Sequence, residues 1–212
     1  MRDELLALEE NHTWDLVTLP AGKQAVDCKW IYTVRLNPDD TLHRLKASLV
    51  AKGFAQTYGI DYFDTFSPVA KMASVRLFIS LAAHHRWTLH QLDVKNAFLH
   101  EFLEEEVYLS QPLGFCASDA ESQVCRLRRS LYGLKQSPRA WFGRFSTVVI
   151  DFGLSRSMKD HTVFNRTTSA GCILLVVYVD DIIITGSDSA DITHLKGHLH
   201  HTLRISVLSH TC

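Results

Sequence analysis

Two runs of apolar residues separated by two acids form the most distinctive hydrophobic pattern in the chain. In residues 171–186, GCILLVVYVDDIIITG, a run from Cys172 to Val179 is followed by Asp180 and Asp181 and then by a run from Ile182 to Thr185. Strand-like runs joined by two turn-forming residues predict a β-hairpin. The lack of polar alternation indicates that both faces of its sheet are covered. The two acids therefore either form only a turn or mark a site at the rim of a buried sheet.

The rest of the hydrophobic pattern predicts short strands and amphipathic helices. Helical spacing and capping residues predict helices over Arg2–Glu10, Ser74–Trp87, Ser137–Phe152 and Ser189–Leu203. Apolar or alternating runs predict strands at Trp14–Leu19, Cys28–Leu36, Leu42–Ala51, Thr88–Val94, Val107–Leu109 and near Val163–Phe164. In the second helix Ser74 is a candidate N-cap, and helical spacing indicates that the helix packs against the core through Val75, Leu77, Phe78, Ile79, Leu81 and Ala82.

The strands at 28–36 and 42–51 form a second predicted hairpin, because Asn37-Pro38-Asp39-Asp40 between them is a strong turn signal. The hairpin has acids only at its tip and carries five cations, which are Lys29, Arg35, Arg44, Lys46 and Lys52. Two interpretations remain open for this charge. It is either a solvated sheet edge that resists aggregation or a surface that closes over phosphate groups.

Charge is also concentrated in two later stretches. Residues 126–150 contain six Lys or Arg residues, no acid, and several interleaved aromatic residues. This composition suits contact with a polyanion and its bases. It equally suits a helix that packs through its aromatic rings while its arginines are solvated. The acids between Glu101 and Glu106 predict a solvated face.

Composition narrows the class of protein. The chain has 212 residues, 46% of them hydrophobic, which predicts one globular domain or two joined subdomains. A net charge of −1 excludes an overall basic field, so any affinity for nucleic acid must be local. Five cysteines without CxxC spacing, an acidic N-terminus and short apolar runs predict an intracellular chain with reduced thiols and no membrane segment.

Asp93 and the Asp180-Asp181 pair each lie at the end of a predicted strand. If these strands are neighbours in one sheet, three carboxylates converge at one edge. Two unit charges ~4 Å apart near a protein surface repel by about 4 kcal/mol. Such a cluster therefore requires either protonation or a divalent cation. Paired Mg²⁺ ions held by carboxylates clamp the attacking and leaving oxygens of a phosphoryl transfer.

A series of ordered motifs extends over nearly the whole chain. In order they are Trp14-Asp-Leu-Val, Lys29-Trp-Ile-Tyr, Lys46-Ala-Ser-Leu-Val-Ala-Lys-Gly-Phe, Gly59-Ile-Asp-Tyr, Thr65-Phe-Ser-Pro-Val-Ala, Gln91-Leu-Asp-Val-Lys-Asn-Ala-Phe-Leu, Val107-Tyr-Leu, Leu131-Tyr-Gly-Leu-Lys-Gln-Ser-Pro-Arg-Ala-Trp and Tyr178-Val-Asp-Asp. From about Leu5 to Leu199 the chain resembles the reverse transcriptase of copia-type (pseudovirus) LTR retrotransposons. The last motif alone has little specificity, whereas the ordered set is very specific.

The resemblance implies an α+β fold of the right-hand polymerase type over residues 5–203. This fold has fingers and a palm, and the antiparallel palm sheet is backed by helices. The implied activity is RNA-directed DNA polymerisation, the transfer of a dNTP to a primer 3′-hydroxyl. Asp93, Asp180 and Asp181 would be catalytic and would bind two Mg²⁺ ions, with Mn²⁺ as an alternative metal and the Val94 carbonyl assisting.

The resemblance also implies roles for residues in other motifs. Nucleotide-binding residues would be Arg35, Lys46, Phe98, Gly133, Lys135 and Gln136, and template or primer contacts would be Tyr178, Val179 and Arg139. Arg35 and Lys46 are the candidates for the triphosphate. Phe98 stands where the family places a bulky residue under the sugar, and there its ring would exclude a 2′-hydroxyl. A core aromatic is the alternative interpretation of Phe98.

The chain departs from the family pattern at three places. Ser48 stands where family members usually have Arg, and Glu101-Phe102 stands where they have Gly, a residue suited to positive φ. The family continues into a primer grip, a thumb and an RNase H region, whereas residues 204–212 no longer follow its pattern. The sequence therefore predicts a truncated form without thumb or RNase H, ending in a divergent tail at residues 204–212.

Two functions follow from the sequence. The first is an RNA-directed DNA polymerase domain of a retrotransposon polyprotein, with a primed RNA or DNA template and dNTP as partners and no membrane contact. The second is a catalytically inactive truncated remnant that at most binds nucleic acid weakly through residues 126–150. The family resemblance implies an intracellular location, in a cytoplasmic particle or the nucleus.

Overall fold

The computed structural model describes residues 1–36, 39, 41–65, 69–94, 101–115, 123–178, 181–203 and 206–208, and it combines helices with antiparallel sheets. Within these residues the helices are α1 (Arg2–Glu10), α2 (Met72–His85), α3 (Ser137–Asp151) and α4 (Ser189–Leu203). The strands are β1 (Trp14–Thr18), β2 (Cys28–Leu36), β3 (Leu42–Ala51), β4 (His90–Asp93), β5 (Phe102–Leu109), β6 (Gln123–Arg129), β7 (Ser155–Arg156), β8 (Val163–Thr168), β9 (Gly171–Tyr178), β10 (Asp181–Gly186) and β11 (Ser206–Leu208). The chain divides into two compact units, Met1–Thr65 with Phe98–Ala140 and Phe66–Ala97 with Trp141–Cys212.

The predicted elements are largely confirmed, and three strands were not foreseen, namely β6, β7 and β11. Strands β2 and β3 and helices α1 and α4 have the predicted bounds. The interpretation of this stretch by its charge misses β6, although the alternation Cys125-Arg126-Leu127-Arg128 is typical of a half-buried strand. In the structure Cys125 and Leu127 of β6 are buried, whereas Arg126 and Arg128 between and after them are exposed. The basic stretch that begins at residue 126 therefore starts as a half-buried strand.

The first unit contains the sheet β1–β6–β5 and the hairpin β2–β3. Its core collects buried side chains from both sheets, from α1 and from the turn after β6, namely Leu8, Val26, Leu49, Ala51, Val107, Leu109, Cys125, Leu127, Leu131 and Leu134. The base of the basic hairpin is thus anchored in a core, because Leu49 and Ala51 are buried. The distal half is different, since Val34 and Leu45 are exposed.

The second unit is built on a six-stranded antiparallel sheet in the order β11–β4–β10–β9–β8–β7. Helix α2 packs on one face, where Phe78 contacts a cluster that includes Val176 and Ile183. The aromatic side of α3 packs on the other face, where Phe145 meets Phe164 of β8 edge to face at 6.0 Å between centroids. Both faces of the central hairpin are therefore covered, as its hydrophobic pattern predicts.

The outer side of α2 differs from its prediction. Leu77 and Ile79 are 56% and 48% exposed, so the expectation that they pack into the core is wrong. Phe78 and Ala82 are the buried residues of this helix. A single helix on a flat sheet buries only one stripe of its surface, and the additional apolar residues of this sequence fall outside that stripe.

Asp160 rather than Ser74 fixes the start of α2, which corrects the predicted N-cap. The helix begins at Met72, and no capping side-chain hydrogen bond comes from its N-cap residue Lys71. The Asp160 carboxylate accepts hydrogen bonds from the Lys71 N–H at 3.2 Å and from the Ser74 hydroxyl at 2.6 Å. It also accepts from the Thr162 hydroxyl at 2.6 Å. Asp160 thus ties the helix N-terminus to the loop before β8.

Asp160→Asn is expected to destabilise the second unit at pH 7 by about 1–3 kcal/mol, because it weakens several hydrogen bonds to a charged acceptor. Burial raises the pKa of the Asp160 carboxyl, but the hydrogen bonds from Ser74, Thr162 and Lys71 outweigh it and leave that pKa below its usual value. Because the pKa of Asp160 is lower in the folded chain than its unfolded value of about 3.9, the ionised carboxylate stabilises the fold above about pH 3.9. This stabilisation is lost as the pH falls through the pKa of Asp160 in the folded chain. Urea unfolding at pH 7 and at pH 3 should therefore show a large difference between wild type and variant at pH 7 and a smaller one at pH 3. An equal difference at both pH values would contradict this account.

None of the helices in the described part of the chain is long and apolar enough to cross a membrane.

Candidate functional site

Asp93 and Asp181 are direct cross-strand partners in the second unit. Strand β4 ends at Asp93, β10 begins at Asp181, and the two residues are paired in the antiparallel ladder. Directly opposed residues of antiparallel strands project from the same face, with Cα atoms about 4.5–5.5 Å apart. The predicted convergence is therefore confirmed for these two carboxylates. Asp180, the third predicted member, and Val179 lie outside the described residues.

Strand β10 begins one residue earlier than predicted, at Asp181. Asp181 is paired with Tyr178 of β9, so the two residues between these partners are Val179 and Asp180. Asp181 is thus a strand residue with a fixed ladder position, and the expectation that it belongs to the turn is wrong. The physical reason is that Asp181 continues the alternation of β10, in which it shares a face with Ile183.

Buried residues next to the carboxylate pair in β4 and β10 anchor the two strands. Leu92 and Ile182, which precede Asp93 and follow Asp181, are cross-strand partners and are fully buried. Val94 is buried as well, whereas Asp93 and Asp181 are partly exposed. The side-chain amide of Gln91 donates a hydrogen bond from Nε2 to Oδ1 of Asp181 at 3.0 Å. The apolar ladder therefore fixes two acids at the accessible end of a rigid sheet.

The donor set of this pair fits a hard divalent cation. Like charges placed directly opposite each other in a sheet are destabilising, and a cation between them removes that cost. Mg²⁺ takes oxygen ligands, typically one or two carboxylates together with water and substrate phosphate. No group of three or more His, Cys, Asp or Glu side chains suited to a metal occurs among the described residues. Asp180, next to this pair in sequence, is not among those residues.

A second cluster, in the first unit, joins several of the predicted nucleotide-binding residues to the loop at 53–65. The Nζ atom of Lys135 donates to the Gln56 carbonyl at 3.1 Å and to the Tyr62 hydroxyl at 3.2 Å. The guanidinium of Arg139 lies 3.6 Å from the Asp64 carboxylate. Because an ammonium group has three N–H donors, Lys135 retains one donor beyond these two hydrogen bonds.

Gln136 is 1% exposed and forms the centre of this cluster. Its Oε1 accepts from Nε2 of Gln56 at 3.1 Å, and its Nε2 donates to the Asp61 carbonyl at 3.2 Å. Oε1 of Gln56 in turn accepts from the Lys135 backbone N–H at 2.9 Å. The Gln56–Gln136 pair therefore pins the loop to the start of α3, and its members satisfy one another in a buried position.

Gln136→Ala is expected to lower the free energy of unfolding by about 1–3 kcal/mol, because it leaves the buried Gln56 amide without its partner. Gln56→Ala should have a similar cost for the same reason. In a double-mutant cycle measured by urea unfolding, the combined variant should be about 1 kcal/mol more stable than the sum of the single losses predicts. Additive single losses would show that the two amides act independently.

Gly133 has a structural role beside its predicted nucleotide contact. Its φ is +90°, and a Cβ atom there would lie 2.1 Å from the Ala51 carbonyl oxygen. The Ala51 N–H donates to the Tyr132 carbonyl at 2.8 Å, so the turn runs directly against the end of β3. The backbone of this motif therefore requires glycine for close packing, whatever ligand it contacts.

The other predicted site residues are placed as follows. Arg35 pairs with Arg44 in the β2–β3 ladder, and Lys46 pairs with Thr33 two rungs away. Tyr178 is 39% exposed and forms an isolated bridge with Val69. Phe98 lies outside the described residues. The nucleotide, template and primer roles of these residues stay predictions.

Of the acids from Glu101 to Glu106, Glu104 and Glu106 are exposed as predicted, whereas Glu101 corrects the expectation. Glu101 is 7% exposed rather than solvated, and its carbonyl accepts from the Ser130 N–H at 2.7 Å. Neither Glu101 nor Phe102 has a positive φ. The ring of Phe102 lies under the Arg129 guanidinium, 4.4 Å from its centroid. The residues that replace the family glycine are thus accommodated in the structure without left-handed backbone.

Sequence reasoning missed the roles of Gln56 and Gln91. Gln91 belongs to a quoted motif and Gln56 lies between two of them, but neither stands in an alternation or spacing that indicates a contact. Their partners are 80 and 90 residues away in the chain. The available signal was chemical, because Gln91 is the uncharged polar residue two positions before Asp93 and therefore lies on the same face of β4.

Comparison with known proteins identifies the class. Residues 11–211 match the family model described as reverse transcriptase (RNA-dependent DNA polymerase). The chain belongs to this family. It is 45% identical over 99% of its length to the retrovirus-related Pol polyprotein from transposon RE2 of Arabidopsis thaliana, of which it covers 14%.

Two further relatives give the same result. The chain is 46% identical over 89% of its length to the Pol polyprotein from transposon RE1 of Arabidopsis thaliana, of which it covers 13%. It is 45% identical over 94% of its length to that from transposon TNT 1-94 of Nicotiana tabacum, of which it covers 15%. The resemblance to copia-type reverse transcriptases is confirmed, and the chain spans only a small part of the length of these polyproteins.

Proposed function

We propose that this chain is an RNA-directed DNA polymerase domain that adds a dNTP to a primer 3′-hydroxyl by a two-metal mechanism. The observation that carries the proposal is the cross-strand pairing of Asp93 with Asp181 at the end of a buried sheet. Asp180 completes the predicted ligand set. Membership of the reverse transcriptase family supports the reaction class, a primed RNA or DNA template, and the use of divalent metal.

The role of the carboxylates is to present negative charge at a defined position where divalent cations can bind. Asp93, Asp180 and Asp181 would hold the Mg²⁺ ions, which when bound would supply acidification of the attacking hydroxyl and neutralisation of charge on the α-phosphate. The ladder fixes the backbones of Asp93 and Asp181 opposite each other, and the neighbouring Leu92 and Ile182 are fully buried, so the two acids are held close together before metal binds. This fixed negative charge is preorganised for cations, so little reorganisation is needed when metal and substrate bind.

We assign supporting roles to residues of the other motifs. Arg35 and Lys46 supply cations for the triphosphate, Phe98 excludes a 2′-hydroxyl, and Val94 offers its carbonyl to the metal. Lys135 supplies its third N–H donor to the nucleotide, whereas Gln136 and Gly133 act by shaping the loop that Lys135 also contacts. Tyr178, Val179 and Arg139 contact template or primer. The family resemblance further supports an intracellular location in a cytoplasmic particle or the nucleus.

Primer extension tests the proposal directly. Purified protein, an oligo(dT) primer on poly(rA), dTTP and Mg²⁺ should give template-dependent extension that EDTA abolishes. Extension should also fail when the template is omitted. Product that forms without divalent metal would overturn the two-metal assignment, and complete inactivity with either Mg²⁺ or Mn²⁺ would overturn the polymerase function.

A further inference from the structure

Gln91 contacts the candidate metal site without being one of its predicted ligands. It lies two residues before Asp93 on β4, and its Nε2 donates to Oδ1 of Asp181 at 3.0 Å. We propose that Gln91 is a positioning residue that holds the Asp181 carboxylate in its metal-binding orientation. This inference rests on the proposed function, since it concerns the same pair of acids.

The backbone of Gln91 is fixed on both sides. It pairs with Ile183 of β10 and with Leu208 of β11, so it occupies an interior strand of the sheet. Ile183 in turn packs against the cluster that contains Phe78 of α2. Gln91 therefore stands between the α2-covered part of this face and the accessible carboxylate pair. From there a long side chain reaches the diagonal neighbour Asp181.

The hydrogen bond orients one oxygen and leaves the other for a cation. In the described structure Oδ1 of Asp181 accepts from Gln91, and Oδ2 has no hydrogen-bond partner. A carboxylate without this contact turns freely about its terminal torsion, because that torsion is broad. Fixing it before the metal binds removes part of the entropy that ordering the ligand would otherwise cost.

The amide is chemically suited to this position. A lysine or arginine here would also donate to Asp181, but its positive charge would compete with the metal for the two acids. A glutamate would add a third repelling charge and no donor. Glutamine supplies an N–H donor and leaves the charge of the carboxylate pair unchanged, so the pair keeps its full attraction for a divalent cation.

The test is Mn²⁺ binding, followed by loss of the free-ion EPR signal, in four versions of the full chain. These are the wild type, Gln91→Met, Asp93→Asn and Gln111→Met. Methionine matches glutamine in length but cannot donate. Gln111 is the matched control, because its Nε2 also makes a hydrogen bond, to the Gln123 carbonyl at 2.8 Å, in the other unit. Thermal unfolding without metal is measured on the same samples.

Gln91→Met is expected to weaken Mn²⁺ binding about tenfold, the lower end of the losses seen when a partner of a metal ligand is removed. Its unfolding temperature without metal should match the wild type, because the contact is at an exposed site. Gln111→Met should bind Mn²⁺ like the wild type, and Asp93→Asn should lose tight binding.

Each alternative result has a separate meaning. If Asp93→Asn loses Mn²⁺ binding but Gln91→Met binds like the wild type, the positioning role is overturned and the proposed function stands. If Gln91→Met instead unfolds at lower temperature with unchanged Mn²⁺ affinity, its role is structural and the proposal is overturned. If the wild type binds no Mn²⁺, or Asp93→Asn binds it equally well, the metal assignment fails and the positioning role fails with it.

Discussion

Asp93→Asn is expected to reduce Mg²⁺-dependent primer extension by at least about a thousandfold, or roughly 4 kcal/mol in the activation free energy. The substitution keeps the size of the side chain but removes one of the two charges that the β4–β10 ladder places opposite each other. An amide is a far weaker ligand for a hard cation than a carboxylate. The metal would therefore bind weakly and off its proper position, and the attacking hydroxyl would lose its activation.

Asp151→Asn is the matched control for this prediction. Asp151 is the exposed last residue of α3, so its replacement removes the same charge from the chain without touching the carboxylate pair. Asp151→Asn should extend primers at the wild-type rate, and Asp181→Asn should resemble Asp93→Asn. Extension by Asp93→Asn at the rate of Asp151→Asn would show that Asp93 is not a metal ligand.

Gly133→Ala is expected to give a large stability loss in the first unit, more than about 3 kcal/mol. The new methyl group would lie 2.1 Å from the Ala51 carbonyl oxygen, which is backbone and has no rotamer to change. The φ of +90° adds strain for any residue with a Cβ atom. Relief would require the turn to move away from β3, which breaks the hydrogen bond from the Ala51 N–H to the Tyr132 carbonyl. Urea unfolding followed by the fluorescence of Trp14 and Trp30, both in this unit, measures the loss.

Gly143→Ala is the same substitution at another glycine, and there it is expected to increase stability. Gly143 lies inside α3, and an added Cβ atom there has nothing within 4 Å. Alanine should stabilise this helix by about 0.5–1 kcal/mol, because glycine loses more backbone entropy on folding. If Gly133→Ala were as stable as Gly143→Ala, the close packing of the 131–135 turn against β3 would be wrong.

The sequence predicts local structure correctly where one pattern, such as a turn signal between two strand-like runs, has no competing pattern in the same residues. The β2–β3 hairpin is predicted to the residue, because Asn37-Pro38-Asp39-Asp40 interrupts two apolar runs that have no competing helical spacing. The same holds for α4, whose start and end agree with the structure. The proximity of Asp93 and Asp181 is also predicted from sequence, because each stands at the end of an apolar strand.

Other features depend on contacts between distant segments, which no local pattern encodes. Strand β6 lies between β1 and β5, and its own alternating pattern does not identify these partners. Glu101 is buried by its tertiary surroundings, against the preference of a charged residue. The Gln56–Gln136 and Gln91–Asp181 hydrogen bonds likewise join residues far apart in the chain. These contacts show which members of a motif are held in place by other parts of the chain.

The central claim is that Asp93 and Asp181 together hold a divalent cation, and the Mg²⁺ dependence of thermal unfolding tests it most directly. At a Mg²⁺ concentration of 100 times Kd, binding to the folded chain alone adds about 2.7 kcal/mol. For a chain of this length that corresponds to a rise of roughly 5–10 °C in Tm. We expect this rise in the wild type and in Asp151→Asn, and no rise in Asp93→Asn, whose Tm without Mg²⁺ should equal or exceed that of the wild type because one repelling charge is gone. An equal Mg²⁺-dependent rise in Asp93→Asn and the wild type would contradict the account.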